Sequence, residues 1–205
     1  MRSRILDAAD RLLVRHGFRR MTIDGIAGEA GIGKGSVYLH FKSKEDVALS
    51  CIDRMADAVT ARLEAIASAG APAPERLRDM LRARVLDRFD YARRHAASID
   101  EKLAVMRQAL LERRATHFEA EAAALDRVVA EGRAAGTLGN GVARPGHALV
   151  TATNALLPYS LSVRELGQRA ALTRRTDEVV GLLLAGLAPS APIRRPSKPR
   201  SRRTP

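Results

Sequence analysis

Apolar residues recur three to four positions apart along almost the whole chain, and no stretch keeps the two-residue alternation of a half-buried strand. A chain patterned in this way reaches a stable core by packing the apolar stripes of helices against one another. Ile5, Ala9, Leu12, Leu13 and His16 share one face of a first helix, and Gly17 offers its C-terminal stop. Thr22 is an N-cap for a short second helix that turns Ile23, Ile26, Ala27 and Ala30 inward, with Asp24 at its positive end. Gly31 ends that helix, and a third should start near Gly33 and run to Phe41, burying Val37 and Phe41. Ser43-Lys44-Glu45-Asp46 resembles a capping box for a long fourth helix whose stripe is Val47, Cys51, Met55, Val59, Leu63 and Ile66.

After the Gly70-Ala71-Pro72-Ala73-Pro74 break, the periodicity predicts helices at about 75–93, 98–114 and 116–135. Gly136, Gly139 and Gly141 mark a loop. Pro145 opens a further helix through Tyr159, with Pro158 at its end or at a kink. A last helix at 173–188 is apolar nearly all round, more so than one face against its own core requires. From Pro189 onward Pro, Ser and Arg replace the apolar period, so 189–205 reads as a disordered basic tail.

The formal charge of +12 points to an anionic partner only after dissection, because six of those charges lie in the last seventeen residues. The remainder is mildly basic and equally compatible with DNA, RNA or an anionic membrane. Only five lysines occur, and three of them, Lys34, Lys42 and Lys44, fall within eleven residues, as though compact ammonium charges were wanted there. Cys51 is the single cysteine, so no intramolecular disulfide forms, and no apolar run is long enough to cross a bilayer. The expectation is a soluble, cytoplasmic protein with no membrane partner.

Residues 22–41 hold a short helix, a glycine turn and a second short helix flanked by further helices. Two helices crossing steeply need a turn residue without a Cβ, which Gly31 supplies. With Ile26, Ala30, Ile32 and Val37 pinning the pair, Gly33, Lys34, Ser36, Leu39 and His40 are left on the outer face. Short side chains early in that helix let its backbone approach a major groove, while Tyr38, His40 and Lys44 reach phosphates.

Other chemistries fit these residues poorly. Gly28-x-x-x-x-Gly33-Lys34 nearly spells a phosphate-binding loop, but Gly35 stands where Ser or Thr is required and no strand precedes it. Gly31-x-Gly33 lacks the third glycine of a dinucleotide site. His117 and Glu121, four apart, could share a metal, although a solvated helix face is the ordinary reading of such a pair. No Cys/His/Asp constellation suggests a covalent catalyst, so neither catalytic residues, nor a metal, nor a cofactor is expected.

Thr22-Ile23-Asp24-Gly25-Ile26-Ala27, then Ala30-Gly31-Ile32-Gly33-Lys34-Gly35-Ser36-Val37-Tyr38-Leu39-His40-Phe41 and Lys42-Ser43-Lys44-Glu45, resembles the TetR/AcrR family of one-component regulators over about residues 3–52. The resemblance implies that Thr22, Gly35, Ser36, Tyr38, His40 and Lys44 touch DNA. Gly33 and Leu39 depart from it, standing where a serine and an aromatic are frequent. It further implies an all-α fold: an N-terminal three-helix helix-turn-helix DNA-binding domain at 1–46, and a C-terminal helical ligand-binding and dimerisation domain at 47–188. The implied function is a ligand-responsive repressor that binds a palindromic double-stranded operator as a homodimer through its C-terminal helices. A constitutive or architectural DNA-binding protein without an effector is the alternative. Candidates to line a small-molecule pocket are Phe89, Met106, Leu110, Phe118, Asn154 and Tyr159, all of which ordinary core packing would also explain.

Overall fold

The computed structural model describes residues 1–157 and 167–189, with the backbone alone for 97–107. The elements run α1 Arg2–Arg20, α2 Ile23–Ala30, α3 Lys34–Tyr38, α4 Lys44–Ala67, α5 Ala73–Arg94, α6 Ala96–Ala134, α7 Pro145–Asn154 and α8 Arg169–Gly186. There is no strand among the described residues, and the all-α expectation holds.

The helix starts follow from local chemistry. Thr22 Oγ1 accepts the Gly25 N–H at 3.0 Å, and Ser43 Oγ accepts the Asp46 N–H at 3.2 Å, so each side chain satisfies one of the free N–H groups at a helix start. Gly31 closes α2 in the left-handed region at φ 62°, where a side chain would be strained. Gly17, at φ 77°, breaks the regular geometry of α1 three residues before its end.

Several boundaries differ from the sequence expectation. His16 is exposed rather than inward, because the chain turns at Gly17 and buries Phe18 and Met21 in its place. The third helix ends at Tyr38, and Phe41 reaches the core from the turn that follows. The two helices expected at 98–114 and 116–135 are one helix of 39 residues, since neither glycine nor proline stands at the expected division near Ala115. α7 ends at Asn154, and Pro158 and Tyr159 lie outside the described residues, as does the tail from 190. α8 begins at Arg169, four residues before the expected start.

Three apolar clusters fill the interior. The first unites α1, α2, α3 and the start of α4 around Ile5, Leu13, Phe18, Ile26, Val37, Phe41 and Val47, and α6 contributes Leu110 to it. The second joins α4 to α8 through Val59, Leu63, Leu77, Leu81, Leu125, Val128 and Val180. The third is Val85, Leu86, Phe89, Ala92, Leu156, Leu157 and Leu172. Helices α4 and α6 each serve both the first cluster and the second, so the two halves share their longest elements. No helix among the described residues is long and apolar enough to cross a membrane.

Candidate nucleic-acid interface

The short third helix is held from behind and bare in front. Val37 is fully buried beneath it, whereas Tyr38 is 52% exposed and Leu39 84% exposed. Gly33, Lys34, Gly35 and His40 are also exposed, and Ser36 is half-buried. A Cβ added at Gly33 or Gly35 would meet no protein atom. The fold therefore does not demand glycine at either position, and the missing side chains leave backbone open to whatever approaches this face. Lys34, Gly35, Ser36 and Tyr38 lie on α3, Gly33 and Leu39 cap it and His40 follows, while Thr22 caps α2 and Lys44 opens α4.

The two lysines on this face are already engaged. Lys34 Nζ lies 2.9 Å from Asp24 Oδ2, which ties α3 to α2. The hydrogen bond and charge of Asp24 push the Lys34 ammonium above its ordinary pKa. Lys44 Nζ donates to the carbonyls of Phe18 and Arg19, each at 3.5 Å, and stands 4.7 Å over the Phe18 ring. It seats a positive charge on the negative end of α1 while remaining partly exposed. Arg19 and Arg20 close α1 next to it and Arg4 reaches the Gly31 carbonyl at 3.5 Å, so more cations border the face than sequence reasoning named. The Arg19-Arg20 pair just before the Thr22 cap was the available signal.

A chain of polar contacts leads from α3 into the second half. The Lys42 N–H, one residue past Phe41, donates to Asp46 Oδ2 at 3.1 Å. Arg113 of α6 faces the other oxygen of Asp46 at 3.6 Å and also binds Asp53. His117 Nε2 lies 3.2 Å from Asp53 Oδ1. His117 and Glu121 thus serve different partners and form no joint site. Glu121 is not on a solvated face: it is fully buried and bridges Arg84 and Arg88 of α5. Arg84 Nε lies 2.6 Å from Glu121 Oε2, and its other nitrogens donate to Thr153 Oγ1 at 2.8 Å and Asn154 Oδ1 at 2.7 Å.

Among the candidates for a ligand lining, Phe118 and Asn154 gather around Arg84, and Phe89 packs in the adjoining apolar cluster with Phe118. Leu110 lies instead in the core beneath the helix-turn-helix. The Met106 side chain and Tyr159 are outside the described residues. A separate open groove of about 550 Å³ runs between α1, α4 and α5, walled by Asp10, Arg54, Arg62 and Asp87 over Met55 and Val59.

Comparison with known proteins places the exposed helix in context. Residues 5–51 match the model of the bacterial regulatory proteins of the tetR family. YerO, an HTH-type transcriptional regulator of Bacillus subtilis (strain 168) described as uncharacterized, is 48% identical over 52 residues, covering 25% of this chain and 18% of its own length. The chain spans well under half the length of the curated relatives it matches. A transcriptional regulator from Cytophaga hutchinsonii superposes with a TM-score of 0.76 at 18% identity, over 90% of this chain and 96% of that one. FadR from Bacillus subtilis, a transcriptional regulator solved with stearoyl-CoA, superposes with a TM-score of 0.62 at 21% identity, over 91% of this chain and 100% of its own. At such identities these structures speak for the fold.

Proposed function

We propose that the chain, whose residues 5–51 match the model of the bacterial regulatory proteins of the tetR family, is a ligand-responsive transcriptional repressor that binds a palindromic operator as a homodimer. The observation that carries the reading is the third helix: Leu39 stands 84% exposed at its end with no partner in the fold, and the backbone at Gly35 is uncovered. An exposed leucine there suits the methyl group of thymine, and Ser36 suits a base edge. Thr22, Tyr38 and Lys44 hold phosphates, His40 lies within reach of either, and Lys34 adds charge beside Asp24. The protein works in the cytoplasm, where the operator is.

The sensing half contributes Phe89, Phe118 and Asn154 to an effector site, and the Arg113–Asp46–Lys42 contacts give that half a physical route to the reader. An effector acts by binding more tightly to the form that cannot span two half-sites. FadR, which shares the fold and was solved with stearoyl-CoA, supports a small-molecule effector for this architecture.

Selection from a random duplex library tests the proposal. The expected product is an inverted repeat with half-sites about one DNA turn, ~34–36 Å, or more apart. Substitutions at Ser36 and Leu39 should change which repeat is selected. A library that returns no enriched repeat, or a preference unmoved by both substitutions, would remove this face as the reader.

A further inference from the structure

The buried polar cluster between α5, α6 and α7 holds a guanidinium N–H, that of Arg88 Nε, which no hydrogen bond answers. Arg84 and Arg88 both rest on the single carboxylate of Glu121. Arg88 is 2% exposed, and its Nε has no hydrogen-bond partner although it is shielded from solvent. A shielded, unpaired guanidinium N–H is costly, and native proteins leave one where something else completes it. Arg114 of α6 adds a third guanidinium. It lies 5.3 Å from the Phe118 ring centroid, Arg84 lies 5.0 Å from the same centroid, and Arg114 has no carboxylate partner among the described residues. Phe118, Arg114 and Asn154 are only half-buried, so the cluster opens to solvent at this end. Beside the opening are apolar atoms of Phe118 and Val179, both half-buried, against Phe89, Leu156 and Leu157.

We propose that this cluster is the binding site for an organic carboxylate with an apolar body, which is the effector. The inference rests on the regulatory reading above and narrows its ligand to a chemical class. The carboxylate accepts from Arg114 and Arg88, where planar, charge-assisted donors match its geometry, and competes with Glu121 for Arg88. The apolar body lies over Phe118 and Val179. Any shift of Glu121 is carried by α6, because Arg113, adjacent to Arg114, grips Asp46 and Asp53 of α4, and Leu110 on the same helix packs into the reader core. The ligand thus acts on the turn that follows the recognition helix without touching it.

The test uses the full chain, with octanoate as probe and octanol and inorganic phosphate as its neutral and tail-less counterparts. Titration calorimetry should show one octanoate per chain, with octanol and phosphate binding at least tenfold more weakly. Arg114→Gln, a change at a half-exposed side chain without an ion pair, should weaken octanoate by about ten- to a hundredfold while leaving the melting curve in place. Arg88→Lys, which keeps the charge and removes the unpaired N–H, should weaken it as well. Octanol binding as tightly as octanoate, phosphate binding where octanoate does not, no octanoate binding, or undiminished affinity in Arg114→Gln would each overturn the site. Fluorescence anisotropy on a duplex recovered by selection provides the second arm. Octanoate should release the duplex from the parent protein and do so only at correspondingly higher concentration from Arg114→Gln. Failure to release it from the parent would overturn the effector role. Octanoate binding in a protein that selects no duplex would instead sink the regulatory reading and leave the anion site standing.

Discussion

Lys44, proposed above to hold a phosphate, already has a part in the fold. Its ammonium reaches the Phe18 and Arg19 carbonyls and the Phe18 ring, joining the start of α4 to the end of α1, yet it remains partly exposed beside the reader. Lys44→Ala should weaken every duplex alike and lower the slope of log affinity against log salt by about one for a single lost phosphate contact. Titrations on operator and scrambled duplexes at several salt concentrations measure this; unequal losses on the two would assign Lys44 to base reading instead. The residues of the turn and the caps were legible in the sequence because Thr22, Gly31 and Ser43 act through their immediate neighbours. The engagement of Lys34 with Asp24 and of Lys44 with α1 was not legible, since both depend on helices meeting at an angle that periodicity does not encode. Arg84 and Arg88 were hidden for the same reason: an arginine on a helix reads as solvated until its partner, Glu121 of a different helix, is known.

At the scale of elements, ion pairs hold helices to one another with unequal consequence. Glu29 of α2 accepts from Arg11 and Arg15 of α1 at 2.6 Å each, and their hydrogen bonds hold its carboxyl below the usual carboxylate pKa. A depressed acid pKa contributes stability that is present above the unfolded value and lost as pH falls through the folded one. Glu29→Gln should therefore lower the melting temperature at pH 7 and become indistinguishable from the parent at pH values well below 4. A difference that persists in acid would assign the effect to packing. The buried pairing of Glu121 is of another kind. Glu121→Gln leaves two enclosed guanidiniums facing a neutral amide, and a loss of about 3–5 kcal/mol is expected in urea unfolding, the range for breaking a buried pair by removing one partner. A loss under 1 kcal/mol would mean that water reaches the cluster freely. The sequence reading divided α6 at 115, where neither glycine nor proline breaks it; the helix continues through Ala115 and Thr116.

For the whole molecule, the proposed dimer needs a surface that holds its two recognition helices apart. α8 buries Leu172, Thr176, Val180 and Leu184 against its own chain while Leu182 stays 76% exposed, with Gly181, Ala185 and Gly186 exposed near it. An apolar side chain flanked by small residues lets a second helix approach closely, so α8 and α7 are proposed to meet their symmetry mates in a four-helix interface. Leu182→Glu should convert a dimer into a monomer by light scattering at micromolar concentration, with helicity retained and operator affinity greatly reduced. A parent protein that is already monomeric there would refute the interface. The apolarity of this helix was plain from sequence, and so was the all-α class. The joining of the N-terminal and C-terminal halves through shared helices was not, because it follows from which faces of α4 and α6 are opposed.

The uninterrupted length of α6 carries a consequence for how such a chain can vary. A helix advances 1.5 Å and turns 100° with each residue. A single residue inserted between Leu110 and Glu121 would swing one end by that angle, removing either Leu110 from the reader core or Glu121 from Arg84 and Arg88. The same insertion in the exposed turn at 68–70 would disturb no such register. Descendants of this chain are thus free to change length in that turn, while the count of residues within α6 is held fixed as a gear holds its teeth.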